Sequence, residues 1–368
     1  MTSIEFRREL HRHPELSFEE HATQRFIIES LRQIGLESRP VAGTGVMAVI
    51  EGRRGNPRRA VVLRADIDAL PIEEATGVEF ASQNRGVMHA CGHDMHAAML
   101  YGVLSSMAAD RNFEGTLIGL FQPGEECNPG GAVKVLEEGA FDGYDVAAVI
   151  GQHVDSALEV GEIGFCPGRF MASNDELRLR VYGRGGHAAW RSQLCDPVAA
   201  LCRMVVRMNE LNSAQCVVSV GRLVSEGATN VIPDETYAEG TMRTFDEDVR
   251  RMTWNSLYKA AEEIGGMYGV RIDVDIDRGY PCVVNDVALC YESMIVAAAE
   301  GFTVRELQPR PTAEDFGYYT QRYPSLFLRL GVGSAAGRSH TSAFMPDERA
   351  MAVGERLMER IALHVLNK

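Results

Sequence analysis

Met88-His89-Ala90-Cys91-Gly92-His93-Asp94-Met95-His96 places three histidines, a cysteine and an aspartate within nine residues. Packing alone gives a loop no reason for that composition. Cysteine thiolate and neutral imidazole are the ligands that hold zinc and similar divalent metals. Cys91 and His93 are separated only by Gly92, which relaxes the backbone limits and lets both side chains turn toward one ion. The bland alternative is a structural metal site or a set of unconnected polar residues.

Outward from this cluster the chain alternates between strands and helices. The apolar run Ala97-Ala98-Met99-Leu100-Tyr101-Gly102-Val103-Leu104 reads as a buried helix, so the cluster sits at a loop-to-helix junction. Upstream, residues 45–50 and 60–65 read as strands. The second is apolar except for Arg64 and suits a central buried position. It runs into Asp66-Ile67-Asp68-Ala69-Leu70-Pro71, which puts two carboxylates at a strand end. Downstream, residues 115–122 form a strand that leads into Pro123-Gly124-Glu125-Glu126-Cys127, and residues 146–153 form one ending at His153. Polar residues collecting at strand C-termini are the pattern of an open α/β sheet. Near the start, Ser3 is expected to cap a helix to about His11. Ser17 with Glu20 reads as a capping box for a helix to about Ile34. His11 and His13 read as structural.

The pattern changes near Met171. Residues 177–182, 196–211, 217–224, 236–244, 246–268 and 270–276 read as β-α-β-β-α-β, the order of a ferredoxin-like split unit. We place it as an insertion at 171–279, with 1–170 and 280–368 forming one catalytic domain. Helices follow at about 285–301 and 313–321, then an apolar strand at 326–330 and a final helix at 348–366. The Gly183-Arg184-Gly185-Gly186 run does not match the dinucleotide or phosphate-loop patterns, so no nucleotide is assigned to it.

The 368 residues suggest two domains at about 150 residues each. A net charge of −14 argues against a nucleic-acid partner or an anionic membrane surface. The eight cysteines are scattered, with no Cys-x-x-Cys, and read as reduced thiols. The N-terminus has no apolar signal segment, and no apolar stretch is long enough to span a bilayer, so a cytoplasmic protein is expected.

Collected in order, the candidates are Asp68, Cys91, His93, Asp94, His96, Glu125, Glu126, His153, His187 and His340. Ligand types arriving from separate strand ends, with a carboxylate pair beside them, look like a catalytic metal site. An activated water needs a base to take its proton and deliver it to the leaving group. In an extended segment adjacent side chains point opposite ways, so one glutamate is expected on the ion and the other toward the water.

These residues, with Leu10-His11-Arg12-His13-Pro14-Glu15-Leu16-Ser17, Gly185-Gly186-His187-Ala188-Ala189, Thr229-Asn230-Val231-Ile232-Pro233, Gly240-Thr241-Met242-Arg243, Glu314-Asp315-Phe316 and Ser339-His340, resemble one family along nearly the whole chain. It is that of the metal-dependent amidohydrolases and peptidases that include hippurate hydrolase, auxin–amino acid conjugate hydrolases and bacterial N-acyl amino acid deacylases. The resemblance implies a zinc-peptidase-like α/β catalytic domain with an inserted ferredoxin-like α+β lid and dimerisation domain, and a homodimer. It implies Cys91, His93, Glu126, His153 and His340 as metal ligands, Glu125 as general base and acid, and Asp68 as an orienting carboxylate. His187, Asn230 and Arg243 would serve the substrate. The implied cofactor is one or two divalent ions per subunit, zinc or manganese, with cobalt and nickel also considered. In peptidase branches a histidine stands where Asp66 stands here; with Cys91 present, this points to the branch that cleaves N-acyl amino acids. A dipeptidase or carboxypeptidase is the enzymatic alternative, and a homologue that binds metal without catalysis is the other. Two departures stand out: Trp190-Arg191-Ser192-Gln193-Leu194-Cys195 replaces the usual Met-Pro-His type segment, and the usual proline after His340 is missing.

Overall fold

The computed structural model describes all 368 residues, Met1–Lys368, which divide into two compact units. The first comprises Met1–Phe170, Val284–Gln308 and Asp315–Lys368, and the second Met171–Val283 with Pro309–Glu314. The short 309–314 segment differs from the division expected at 171–279. It joins the second unit because Ala172 N donates to the carbonyls of Arg310 and Thr312.

In the first unit an eight-stranded sheet runs, in spatial order, Ser38–Val41, Gly45–Glu51, Thr116–Gln122, Arg59–Asp66, Asp145–Asp155, Ser325–Gly331, Glu162–Phe165 and Thr303–Glu306. Its centre is parallel: Arg59–Asp66 pairs with Thr116–Gln122 on one side and Asp145–Asp155 on the other. Both faces of such a strand are covered, which explains its continuous apolar run. Val61, Leu63 and Ala65 join a large core with Phe6, Leu10, Met95, Leu100, Leu357 and Ile361. Helix His93–Ala109 packs against both Ser3–Arg12 and Ala350–Leu366 in that core. His93–Ala109 is buried on nearly every side, as its all-round apolar sequence requires. No helix is long and apolar enough to cross a membrane.

Two helix starts differ from expectation. Thr2, not Ser3, caps the first helix, completing a capping box with Glu5. The second helix is His21–Gln33, and neither Ser17 nor Glu20 caps it with a side chain. Tertiary partners take both: Ser17 Oγ donates to Asp68, and the buried Glu20 accepts from Gly124 N and Thr44 Oγ1.

The second unit has the β-α-β-β-α-β order. Its antiparallel sheet is ordered Cys216–Ser225, Glu235–Thr244, Asp175–Tyr182, Arg271–Arg278. Helices Pro197–Asn209 and Glu247–Tyr268 cover one face, where Leu177, Leu179 and Val181 meet Met204, Leu257 and Ile264. Arg250 grips Asp175 through Nε and Nη2 at 3.0 and 2.5 Å, and the Trp254 indole donates to the same carboxylate.

Candidate metal centre

The centre is built where the first unit's strands end. Gly92 holds φ at +88° immediately before helix His93–Ala109, and a Cβ there would lie 2.6 Å from Val154 Cγ2. Only glycine meets both demands, and its turn sets Cys91 and His93 side by side. Asp68 lies just past strand Arg59–Asp66. It accepts from Ser17 Oγ at 2.7 Å and Glu126 N at 2.9 Å, and from His93 Nδ1 at 3.1 Å. That last bond keeps a proton on Nδ1, so the neutral His93 ring presents its lone pair at Nε2. His93 Nε2 is buried with no hydrogen-bond partner, 3.9 Å from Glu126 Oε1.

His153 is fixed in the same way. Its Nδ1 donates to the Val154 carbonyl at 2.7 Å, and its Nε2 lies 3.3 Å from Cys91 Sγ. His340 Nε2 is 3.3 Å from that sulfur and 3.3 Å from Glu126 Oε1. It sits at φ +62°, uncommon for a residue with a side chain, with its N–H bonded to the Ala90 carbonyl. Two groups of ligand atoms result, Cys91–His93–His153 and Cys91–Glu126–His340, each within 4.8 Å of one another and sharing the thiol. Cys91, His93, His153 and Glu125 are buried, while His340 is exposed and marks the open side.

Glu125 and Glu126 do not point opposite ways. The segment after strand Thr116–Gln122 is a turn rather than extended chain, and one oxygen of each glutamate lies within 4.8 Å of the other and of a His93 nitrogen.

The surroundings polarise these groups. Burial, reinforced by Glu126, pushes the Cys91 thiol up to about 12. Burial pulls His153 down, helped by the Arg329 charge. For His93 burial works downward but is outweighed by Asp66, Cys91 and Asp68, which carry it well above the imidazole range. Burial likewise opposes the fall of Asp68, whose carboxylate His93 and Ser17 hold below its ordinary value. A thiol, three imidazoles and a carboxylate converge, one ring nitrogen being buried without a partner. That donor set fits a soft or borderline divalent cation.

His96 stands with Asp66 and His93 in a further group within 4.8 Å, while Asp94 joins none. His96 Nδ1 donates to Asp66 at 2.6 Å and its Nε2 accepts from Val154 N at 3.0 Å, so both nitrogens are used. Asp94 binds Arg7 Nε and His11 Nδ1 at 3.0 and 2.9 Å. His11 is therefore a buried ion-pair residue, and His13 is exposed. His89 is buried with neither nitrogen hydrogen-bonded, and burial pulls it down to about 4. Sequence reasoning missed the orienting role of Ser17 and the Arg64–Asp66 ion pair at 2.7 Å. The one polar residue in an apolar strand, Arg64, was the signal for the latter.

His187, Asn230 and Arg243 belong to the second unit. His187 pairs with Val231 across a two-residue ladder, and Ala188 N donates to the Asn230 carbonyl, so these two exposed residues are neighbours. Arg243 lies separately on strand Glu235–Thr244, half-buried. Burial draws its guanidinium below the ordinary value against the pull of Asp175 and Glu176.

Residues 62–364 match the model of peptidase family M20/M25/M40. The chain is 37% identical over 376 residues to an N-acetyl-L-cysteine deacetylase of Bacillus subtilis, covering 99% of this chain and 88% of the relative. It is 33% identical over 380 residues to thermostable carboxypeptidase 2 of Saccharolobus solfataricus, covering 99% and 95%. The crystal structure of a dinuclear metal-binding M20 peptidase from Bacillus subtilis superposes with a TM-score of 0.88 at 36% identity, covering 99% and 97%. By motif, fold and full-length similarity, this chain belongs to peptidase family M20/M25/M40.

Proposed function

We propose that the protein is a metal-dependent hydrolase that cleaves the amide bond of N-acyl amino acids, releasing a carboxylate and an amino acid. The observation that carries this is the convergence of Cys91, His93, Glu126, His153 and His340 around a His93 Nε2 that is buried without a hydrogen-bond partner, with Glu125 alongside. Those five residues would hold one or two ions, zinc or manganese first among them. A bound divalent ion supplies Lewis acidity toward the amide carbonyl and acidifies water. Asp68 keeps the His93 proton on Nδ1 and so presents Nε2. Glu125, buried beside His93, takes a proton from the attacking water and hands it to the departing nitrogen.

We assign the substrate's carboxylate to Arg243, which is half-buried and has no ion-pair or hydrogen-bond partner; a planar guanidinium suits that group. His187 and Asn230 would donate to the same substrate. A homodimer is supported by the second unit's two sheet edges. Strand Arg271–Arg278 is edged with exposed Asp273, Asp275 and Asp277, whereas Cys216–Ser225 exposes Val217 and Leu223.

The test is hydrolysis of a panel of N-acyl amino acids and dipeptides with Zn²⁺, Mn²⁺ or Co²⁺ added. Faster turnover of the N-acyl amino acids is expected. Preference for dipeptides would favour the dipeptidase or carboxypeptidase reading, the latter being the activity named for the Saccharolobus relative. No turnover by metal-loaded protein would reject both.

A further inference from the structure

Strand Arg59–Asp66 pairs with Asp145–Asp155 only as far as Arg64 opposite Gly151. Beyond that point this pairing ends, while the same strand stays paired with Thr116–Gln122 as far as Asp66 opposite Gln122. Val154 therefore reaches a place where no strand remains on that side to take its peptide groups, and a buried backbone group needs a partner. Two imidazoles fill the gap. His96 Nε2 accepts from the Val154 N–H at 3.0 Å, and His153 Nδ1 donates to the Val154 carbonyl at 2.7 Å. The two rings lie 4.7 Å apart in an edge-on arrangement.

The proton positions follow. Val154 N–H can only donate, so His96 Nε2 must be the unprotonated nitrogen and Nδ1 carries the hydrogen. Asp66 Oδ1 receives it at 2.6 Å, and Arg64 Nη1 holds Asp66 Oδ2 at 2.7 Å. Arg64 is itself anchored by Gln122 Oε1 and Asp315 Oδ1 at 3.0 and 2.7 Å.

We propose that His96 is a positioning residue for the ligand His153. Resting on the reading of His153 as a metal ligand, it assigns Arg64, Asp66 and His96 a single task. They fix the Val154 backbone at its N–H, and the carbonyl of the same residue in turn fixes the His153 tautomer and aims its Nε2 at the ion. The aspartate at position 66 is then the acceptor that selects the His96 tautomer. An asparagine there would offer N–H to Nδ1, favour a proton on Nε2, and set two donors face to face at Val154.

Zn²⁺ affinity, measured by competition with a chromophoric chelator, tests this apart from activity. His96→Phe keeps the ring volume and removes the acceptor; about 10- to 100-fold weaker Zn²⁺ binding is expected. His96→Gln, whose amide oxygen can accept from Val154 N–H, should recover most of that loss, which a purely space-filling role would not produce. In the wild-type protein, long-range ¹H–¹⁵N spectra should show His96 protonated at Nδ1 with and without metal, and this needs no variant to fold. Wild-type affinity in His96→Phe, or a wild-type His96 protonated at Nε2, would overturn the inference while leaving the metal site standing. A metal-shifted Nε2 resonance would overturn it by making His96 a ligand. Wild-type protein that binds no divalent ion would remove the metal reading and this inference together.

Discussion

Glu125 and Cys91 carry the two residue-scale tests. Glu125→Gln preserves size and hydrogen bonding but not proton acceptance. Turnover is expected to fall by about 10² or more while the metal content measured by elemental analysis stays unchanged. Retained turnover in the loaded variant would remove the shuttle role. The Cys91 thiol, pushed up to about 12 by burial and Glu126, stays protonated at neutral pH until a cation displaces the proton. Zn²⁺ binding near pH 7.5 should therefore release at least one proton, read by calorimetry in buffers of different ionisation enthalpy, and affinity should rise with pH. Binding without proton release would count against thiolate ligation. The cluster of potential ligand types was legible in sequence because cysteine, histidine and glutamate announce themselves by type. Their helpers were not: Ser17 reads locally as a cap, and only the fold brings its hydroxyl to Asp68. The glutamate pair misled for a related reason, since Gly124 at φ +62° opens a turn where alternation was expected.

Elements explain why the centre tolerates so little change. Helix His93–Ala109 begins at His93 itself, and its start depends on Gly92 accepting a left-handed backbone against Val154. Gly92→Ala adds a strained backbone and an overpacked contact, together about 2 to 4 kcal/mol. Denaturant unfolding should show that loss, accompanied by weaker Zn²⁺ binding because Cys91, His93 and Val154 all shift; unchanged stability would mean the turn relaxes freely. Long periodic elements such as Glu247–Tyr268 were readable from their apolar spacing. The strands Ser38–Val41, Glu162–Phe165 and Thr303–Glu306 escaped because four residues carry too little alternation, and the last two are paired by distant chain. Short strands are specified by neighbours rather than by their own residues.

At the scale of the whole molecule, charge governs both stability and assembly. His11, buried against Asp94 and Glu74, is raised to about 9: burial opposes the rise, but the two carboxylates outweigh it. A folded value above the ordinary 6.5 makes this stability fully present below about pH 6.5 and lost as pH rises through about 9, on the order of 3 kcal/mol at most. Denaturation of wild type and His11→Gln at pH 6 and pH 9.5 should show a gap that narrows at the higher pH; a constant gap would disprove the linkage. Assembly rests on the other balance. The net charge of −14 disfavours self-association, so a dimer needs a surface where that repulsion is absent. Strand Arg271–Arg278 is an unsuitable edge, because pairing it with itself would align Asp273, Asp275 and Asp277 with their copies. Strand Cys216–Ser225 has one charged residue, Arg222, already paired with Glu239, and presents Val217 and Leu223 to solvent. Its unpaired peptide groups and apolar side chains suit addition of the same strand from a second copy. Sedimentation velocity at micromolar concentration should give a dimer for wild type and a monomer for the Val217→Lys, Leu223→Lys double variant. Both substitutions point outward from the sheet and so should leave the fold and metal content intact. A wild-type monomer, or a double variant that remains dimeric, would show that this edge does not join the subunits.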